Sequence, residues 1–482
     1  MCRTVAAALF AAVVISFSIS PDLRAAVTPD ARAGEGITLA VGSSSFRVTG
    51  FTGQEAISAP PAFQIDLAPG EALSAPFAAL IGQQATLSIV LSDGLSKEVT
   101  GMIAGVAERA VESEMSLRIE LVARLRLLDL NRQSRIFQDA TVPEILAEVL
   151  GQHGVVNGLS LTETFTRRPM VIQYNESDLA FLSRLMEEEG ISYFFSSRGR
   201  MEISDSSASR PSLGPLRFAT RDRKDGAGVG TWERTQELRP GKFSLDDRIL
   251  GTPDADLEVT ALIRETTVAG SLAHRLRSPL STSFEVYDYP GAYAQRFDGV
   301  NASIVIDEGM RVVALRSEEA ATRAVEISGT STFPLTSGYT FLLGSHPNAD
   351  GEYLVTSVHH QATADRNGRP AYSNTFTCIP SSVPFRPSRT TPRPVIAGFQ
   401  IAVVTGPPGE TVFTDGLGRV KVKFRWDRSP QSDGHSSAWI RVAAVERGFL
   451  PEIGDEVIVG FEEGDPDRPI ILGSLFNGTD TE

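Results

Sequence analysis

Alternation of polar and apolar residues predicts β-structure in the first part of the chain. Residues 45–51 and 116–128 both alternate, so each run places its apolar side chains on one face. Turn signals such as Ser92-Asp93-Gly94 separate such runs, as they do in antiparallel sheets. We predict a β-barrel over residues 34–130.

From Thr141 onward the apolar residues no longer alternate but recur with the 3.6-residue period of a helix. Thr141 and Glu144 have the spacing of a capping box, and an apolar face at helical spacing follows them. A second helix is predicted to begin near Ser177 and to end at Gly190. We therefore predict an α+β region over residues 131–240.

Strands are again predicted over residues 241–380, which we interpret as a second β-barrel. Residues 381–395 are rich in proline, arginine and threonine, which is typical of a stiff linker. About five short strands over residues 396–478 predict a small barrel of the oligonucleotide/oligosaccharide-binding (OB) kind. The predicted fold class is mainly β with an α+β insert: two β-barrel domains followed by a small OB-fold-like barrel.

Composition and charge restrict the possible chemistry. The 482 residues suffice for about three domains. A net charge of −14 disfavours binding to nucleic acid or anionic lipid. Two cysteines, Cys2 and Cys378, cannot form a disulfide framework or a cysteine zinc site. We expect no metal and no cofactor.

Residues 1–26 have the layout of a secretory signal. Arg3 precedes a short apolar run, which ends near the small residues Ala25 and Ala26. Two interpretations compete: a true signal-like leader, or a mis-set start with translation beginning downstream.

A basic ladder follows the linker on residues 419–426, where charged and apolar residues alternate. It could bind nucleic acid, but the aromatic residues Phe424 and Trp426 fall on the opposite face, where they cannot stack on bases beside the charges. We therefore favour a solvated or subunit-facing strand whose charges pair with nearby acids. The four basic residues are Arg419, Lys421, Lys423 and Arg425, and the acids are Glu462, Glu463, Asp465 and Asp467.

We interpret the other candidate sites as structural features rather than as functional sites. The acidic segment 462–467 is predicted to be a turn rather than a calcium site, and residues 187–189 a solvated helix end. His359 and His360 should point to opposite faces of a strand, and Cys378 should lie in a core. Tyr174 and the apolar face of the second helix are also predicted to be core; the helix residues are Leu179, Leu182, Leu185 and Met186. We predict no catalytic, cofactor-binding or metal-binding residue.

Two long stretches carry a family resemblance. Residues 173–194, QYNESDLAFLSRLMEEEGISYF, closely resemble the hub signature of VgrG spike proteins of type VI secretion. Residues 414–427, TDGLGRVKVKFRWD, and residues 454–469, GDEVIVGFEEGDPDRP, resemble the small barrel that follows the hub in that family. The order of these stretches and the spacing between them agree with that family, so the resemblance covers residues 34–478.

The resemblance implies a non-enzymatic, homotrimeric hub like that of contractile-phage tails, with two hub β-barrels per chain. Its expected partners are a hexameric Hcp-like tube protein, a tip or PAAR-like protein, baseplate components and effector cargo, but no nucleic acid. Members usually continue into a β-helical needle; here we expect it to be missing, truncated or supplied by another chain. Members are loaded from the cytoplasm and leave by injection, which favours a mis-set start over periplasmic export.

Two other classes of function remain alternatives. A secreted cell-wall hydrolase related to tail lysozymes would account for the signal-like segment. A carbohydrate- or nucleic-acid-binding module would use the small barrel as its binding surface.

Overall fold

The computed structural model describes residues 36–69, 77–111, 114–207, 210–219, 227–270, 272–297, 301–430, 432–443 and 450–476. The predicted leader, residues 1–26, lies outside these ranges. None of the helices within them is long and apolar enough to span a membrane.

The alternating segments at the start of the chain close into a six-stranded antiparallel barrel. Its strands are β1 (Gly36–Val41), β2 (Ser44–Ala56), β3 (Ala59–Leu67), β4 (Gln84–Val90), β5 (Ser96–Val111) and β6 (Glu114–Val122). The strand order is β1-β4-β5-β6-β3-β2, and β2 pairs back to β1. Inward residues such as Leu39, Phe63 and Ile65 are buried because every second residue faces the barrel interior.

The middle region combines two helices with short strands. Its elements are β7 (Arg132–Ala140), α1 (Val142–Gln152), β8 (Asn157–Ser160), β9 (Arg168–Ser177), α2 (Asp178–Glu189), β10 (Ser192–Phe195) and β11 (Met201–Ser204). The predicted capping box of Thr141 and Glu144 is present, and Ser177 caps α2. Gly190 ends α2 with φ 68°, a conformation that favours glycine. The apolar residues predicted on α2 are buried in the core of this region.

The following part of the chain contains further strands and the longest described helix. The elements are β12 (Ser212–Arg217), β13 (Val229–Gln236), β14 (Lys242–Leu245), β15 (Val259–Leu262), β16 (Thr266–Ala269), β17 (Leu272–Arg275), β18 (Glu285–Asp288), α3 (Ala302–Thr322), β19 (Val325–Ser331), β20 (Thr340–Gly344), β21 (Gly351–Ala364) and β22 (Pro370–Pro380).

Six of these strands form a second barrel. Their order is β13-β19-β22-β21-β20-β12, and a bridge between Phe218 and Val229 closes the ring. Cys378 is buried in its core, as predicted. Strands β12 and β13 lie inside the predicted α+β region, and β14 to β18 with α3 form an insertion within the barrel. The prediction of strands over residues 241–380 is therefore wrong for α3. The sequence did not place β12 and β13 in the barrel because they bury few residues and lack clear alternation.

The two barrels share a continuous sheet. Strand β2 of the first barrel pairs antiparallel with β21 of the second, from Gly50 opposite Thr363 to Ala56 opposite Ser357. The junction is therefore made by backbone hydrogen bonds along seven residue pairs.

The chain ends in a small five-stranded barrel, which confirms the predicted OB-like fold. Its strands are β23 (Gln400–Thr405), β24 (Lys421–Phe424), β25 (Arg441–Val442), β26 (Glu456–Phe461) and β27 (Pro469–Leu475). The order is β24-β23-β26-β27-β25, and a bridge between Val420 and Ile440 joins its ends. The alternating run predicted to reach Trp426 forms a strand only as far as Phe424.

Candidate functional site

The C-terminal end of α2 is the centre of a buried ion-pair network. Glu187 and Glu189 are buried and Glu188 is partly buried, so the prediction of a solvated helix end is wrong. The reason is tertiary: Arg296 and Arg311 on one side and the segment 386–393 on the other contact these carboxylates. These contacts join residues more than 100 positions apart in sequence.

Glu189, only 2% exposed, contacts three arginines. Its carboxylate lies 3.0 Å from Arg296 Nη1 and 2.5 Å from Arg311 Nη2, and it also pairs with Arg168. Burial alone would raise the pKa of Glu189, but Arg296, Arg168 and Arg311 lower it to about 2. We call Arg168, Glu189, Arg296, Glu308 and Arg311 the buried cluster; it ties α2 to β9, α3 and the segment before α3.

The predicted stiff linker forms an extended strap along this helix end. Arg393 bridges two parts of the chain, with Nη2 2.7 Å from Glu188 Oε1 and Nη1 2.5 Å from Asp465 Oδ2 of the C-terminal barrel. Thr391 donates to Glu187 through its backbone N–H at 2.9 Å and its hydroxyl at 2.7 Å. The strap therefore fixes the C-terminal barrel to the middle region through charged hydrogen bonds.

A second contact between these regions involves aromatic residues and backbone. Tyr174 packs edge-on against Trp426, with ring centroids 5.8 Å apart, and its hydroxyl accepts from Gln400 Nε2 at 3.2 Å. Asp467 Oδ1 accepts from the Ile172 N–H at 2.6 Å. Tyr174 is thus a half-buried contact residue, not the core residue that was predicted, because its strand edge is covered by another domain.

The basic ladder is paired, but with different acids from those predicted. Arg419 Nη2 lies 2.7 Å from Asp415 Oδ2, Lys423 Nζ lies 3.1 Å from Asp427 Oδ2, and Arg425 pairs with Glu456. Lys421 Nζ lies over the Trp439 ring at 5.1 Å from its centroid. Local turns supply most of these partners, whereas Glu462, Asp465 and Asp467 contact other groups.

The acidic segment 462–467 forms a turn, and the carboxylates of Glu462, Asp465 and Asp467 contact arginines or backbone. Glu462 pairs with Arg468 at 2.8 Å and with Arg441 at 3.4 Å, and Asp465 pairs with Arg393. Burial and the nearby Asp465 raise the pKa of Asp467 to about 6. Across the described ranges, no three His, Cys, Asp or Glu side chains converge as a metal site would require.

His359 and His360 point to opposite faces of β21, as predicted. His359 is exposed, whereas His360 is buried and its Nδ1 lies 2.7 Å from the Tyr372 hydroxyl. His360 Nε2 lies 3.6 Å from Glu55, which also pairs with Lys97 Nζ at 3.0 Å. Burial raises the pKa of Glu55, but Lys97 above all lowers it to about 2. The sequence analysis did not identify Lys97 or Glu55, because neither lies in a recognisable motif.

Lys97 also connects the two hub barrels. Its ammonium donates to the Leu335 carbonyl at 2.9 Å and to Thr336 Oγ1 at 2.8 Å, both in a loop of the second barrel. Lys97→Ala should lower the free energy of unfolding by about 3 kcal/mol, because Glu55 would remain buried without its cation. Denaturant unfolding followed by circular dichroism measures this change.

The control is Lys242→Ala, which removes a more exposed pair with Glu285 at 2.8 Å. It should unfold like the unsubstituted protein. Equal loss of stability in both variants would contradict the role assigned to the buried pair.

The outward face of the C-terminal barrel carries an apolar surface. Phe399 is 63% and Leu472 48% exposed, and Ile401 is exposed opposite Ile458 of the neighbouring strand. A Cβ at position 460 would come within 2.8 Å of Leu472 Cδ1, so glycine there lets Leu472 lie across β26. We call Phe399, Ile401, Ile458, Ile470 and Leu472 the outer stripe.

The sequence contained one signal for this stripe. The run Pro469-Ile470-Ile471-Leu472 is apolar without alternation, which predicts a strand covered on both faces. Ile471 faces the barrel core, whereas Ile470 is partly buried and Leu472 exposed. An apolar surface of this kind on a soluble domain is typical of a protein–protein contact.

Two family models match the chain. The model for the phage tail baseplate hub (GPD) matches residues 54–366, and that for the type VI secretion system/phage-baseplate injector OB domain matches residues 410–476. The first covers the α+β region and most strands of both hub barrels, and the second covers most of the C-terminal barrel.

Curated relatives extend this similarity over nearly the whole chain. The type VI secretion system spike protein VgrG1b of Pseudomonas aeruginosa is 32% identical over 467 residues, covering 92% of this chain and 60% of that protein. The actin cross-linking toxin VgrG1 of Vibrio cholerae is 31% identical over 427 residues, covering 83% of this chain and 37% of the toxin. This chain therefore matches only part of the length of these relatives.

A solved structure supports the fold. The E. coli c3393 protein, described as a type VI secretion component similar to the T4 tail proteins gp27 and gp5, matches with a TM-score of 0.61 and 23% identity. The match covers 91% of this chain and 99% of that one. The chain therefore belongs to the VgrG spike family of type VI secretion, with a phage-tail baseplate hub followed by an injector OB domain.

Proposed function

We propose that this chain is a homotrimeric, non-enzymatic hub that caps the tube of a contractile injection machine and helps to deliver effectors across a target envelope. The observation that carries the proposal is the pair of closed six-stranded barrels joined edge to edge through β2 and β21. Three chains with two such barrels each would present six similar units, which suits a tube of stacked hexamers.

The proposed domain organisation follows the sequence analysis. Residues 34–130 and 241–380 supply the hub barrels, with β12 and β13 contributed by the region 131–240; residues 381–395 form the strap and residues 396–478 the OB-like barrel. In this arrangement the OB-like barrels lie next to one another around the threefold axis, in contact through the outer stripe. Burial of apolar side chains on three neighbouring strands would supply the free energy of association.

The proposed partners are an Hcp-like hexameric tube protein, a tip or PAAR-like protein, baseplate components and effector cargo. Assembly would take place in the cytoplasm, and the chain would leave the cell by injection. The actin cross-linking activity named for the Vibrio cholerae relative belongs to a protein of which this chain covers 37%. We propose that the shared part acts mechanically, since closed barrels and buried ion pairs resist axial load without any bond chemistry.

The mass in solution tests the proposal. Light scattering on a sizing column should give about 155 kDa, three times the 51.8 kDa of one chain. A folded monomer of 51.8 kDa at micromolar concentration would contradict the trimeric hub. Clearing of a peptidoglycan suspension by the purified chain would instead favour the cell-wall hydrolase.

A further inference from the structure

A cavity of about 420 Å³ lies between the end of α2, the loop after β18, α3 and the strap. It opens at the surface beside Tyr287 and Tyr289, whose side chains are about half exposed. Arginines dominate its charged lining: Arg184, Arg296, Arg316, Arg389 and Arg393. Three carboxylates, those of Glu187, Glu188 and Asp288, also line it. The lining therefore carries an excess of positive charge.

Most of these arginines already have a close carboxylate partner. The shortest carboxylate distances are 2.8 Å for Arg184 to Glu176, 2.6 Å for Arg296 to Glu308 and 2.5 Å for Arg393 to Asp465. Arg389, whose side chain is 40% exposed, lies 3.3 Å from Glu319. Two of the carboxylates in the lining are closely engaged: Glu187 accepts from Thr391, and Glu188 pairs with Arg393 and Arg168. The third, Asp288, lies 3.7 Å from Arg389.

Arg316 combines deep burial with weak partners, which none of the other four arginines does. It is 5% exposed, yet its nearest acceptors are Glu319 Oε2 at 3.4 Å and the Glu188 carbonyl at 3.5 Å, both at the limit of hydrogen bonding. Its Nε has no acceptor among the described residues. Burial, and then the charge of Arg389, lower the pKa of Arg316 to about 10. A buried guanidinium with such weak partners is costly unless a ligand supplies acceptors.

We propose that this cavity binds an oxyanion, a phosphate or carboxylate group, with Arg316 as its principal donor. The planar guanidinium presents parallel N–H groups that match two oxygens of such a group. Arg389, near the surface, adds a second positive charge to the lining. The inference goes beyond the hub function, because no step of tube capping requires a small ligand.

Calorimetric titration of the full chain with inorganic phosphate tests the proposal, in a buffer whose ionic strength is matched with chloride. We expect saturable binding, and Arg316→Met should weaken it by at least about tenfold. The substitution removes the guanidinium with its N–H donors and leaves a side chain of similar volume in the same place. Arg366→Met, which removes the same charge from an exposed turn, should bind like the unsubstituted protein. Arg316→Lys keeps the charge but lacks the planar guanidinium, so it should give an intermediate affinity. It replaces Arg316→Met as the test if that variant does not fold.

An acetate titration separates the two kinds of oxyanion. Stronger binding of phosphate, lost in Arg316→Met, would assign a phosphate-bearing ligand; equal or stronger binding of acetate, lost in the same variant, would assign a carboxylate. Absence of binding for both anions, or equal phosphate binding by Arg316→Met and the unsubstituted protein, would overturn the proposal. The light-scattering mass of each variant keeps this outcome distinct from failure of the trimeric hub.

Discussion

Leu472→Glu is expected to convert the assembled protein into a monomer. Leu472 lies across β26 within the outer stripe, which we propose is buried where the three C-terminal barrels meet. The substitution would place a carboxylate from each copy in that apolar contact, where desolvation and mutual repulsion oppose association. Light scattering should show a fall from about 155 kDa to the 51.8 kDa of a single chain.

Leu130→Glu provides the matched control. Leu130 is 84% exposed and lies outside the outer stripe, so the same change of side chain should leave the mass unaltered. Both proteins should keep their circular dichroism spectra, because neither substitution enters a core. A trimeric Leu472→Glu variant would show that the stripe is not the contact, even if the hub itself is trimeric.

Glu189→Gln is expected to destabilise the hub more than any other single substitution considered above. The amide keeps the shape of the side chain but leaves Arg168, Arg296 and Arg311 with Glu308 and Glu188 as their remaining carboxylate partners. Uncompensated buried charge of this kind costs about 4 kcal/mol of unfolding free energy. Denaturant unfolding followed by circular dichroism should show the loss.

Glu148→Gln is the control for this experiment. Glu148 lies on the exposed face of α1 and accepts a hydrogen bond from Gln152 Nε2 at 3.1 Å. Glu148→Gln makes the same replacement of a carboxylate by an amide outside the buried cluster. This variant should therefore unfold like the unsubstituted protein. If Glu189→Gln lay within about 1 kcal/mol of this control, the buried cluster would contribute little net stability.

The elements of this fold that rest on local chemistry could be predicted from the sequence. The capping box at Thr141, the cap at Ser177 and the stop at Gly190 are each formed by groups within a few residues of one another. The opposite orientations of His359 and His360 follow from the two-residue period of a strand. The family resemblance of residues 173–194 and 414–427 supplied the identity of the hub and OB domains, which pattern alone would not have given.

The candidate site was much less predictable. Glu189 looked solvated because it belongs to a run of three acids at a helix end, and such a run is usually exposed. Its partners Arg296 and Arg311 lie more than 100 residues further along the chain, and no periodic pattern in the sequence links positions that far apart. Tyr174 was predicted to be core for a similar reason: its apolar neighbours are core, but its own ring faces Trp426 of another domain.

The sequence by itself therefore determined the ends of α1 and α2, the OB-like barrel and the family, but not α3, which lies in a segment predicted to form strands. Only the tertiary structure decided which strands close the second barrel, how the strap holds the C-terminal barrel, and which charges are buried. The physical reason is the distance along the chain over which each interaction acts. Caps, turns and alternation depend on neighbours in the sequence. The pairing of Glu189 with Arg311, or of Lys97 with Glu55, depends on which surfaces meet after folding.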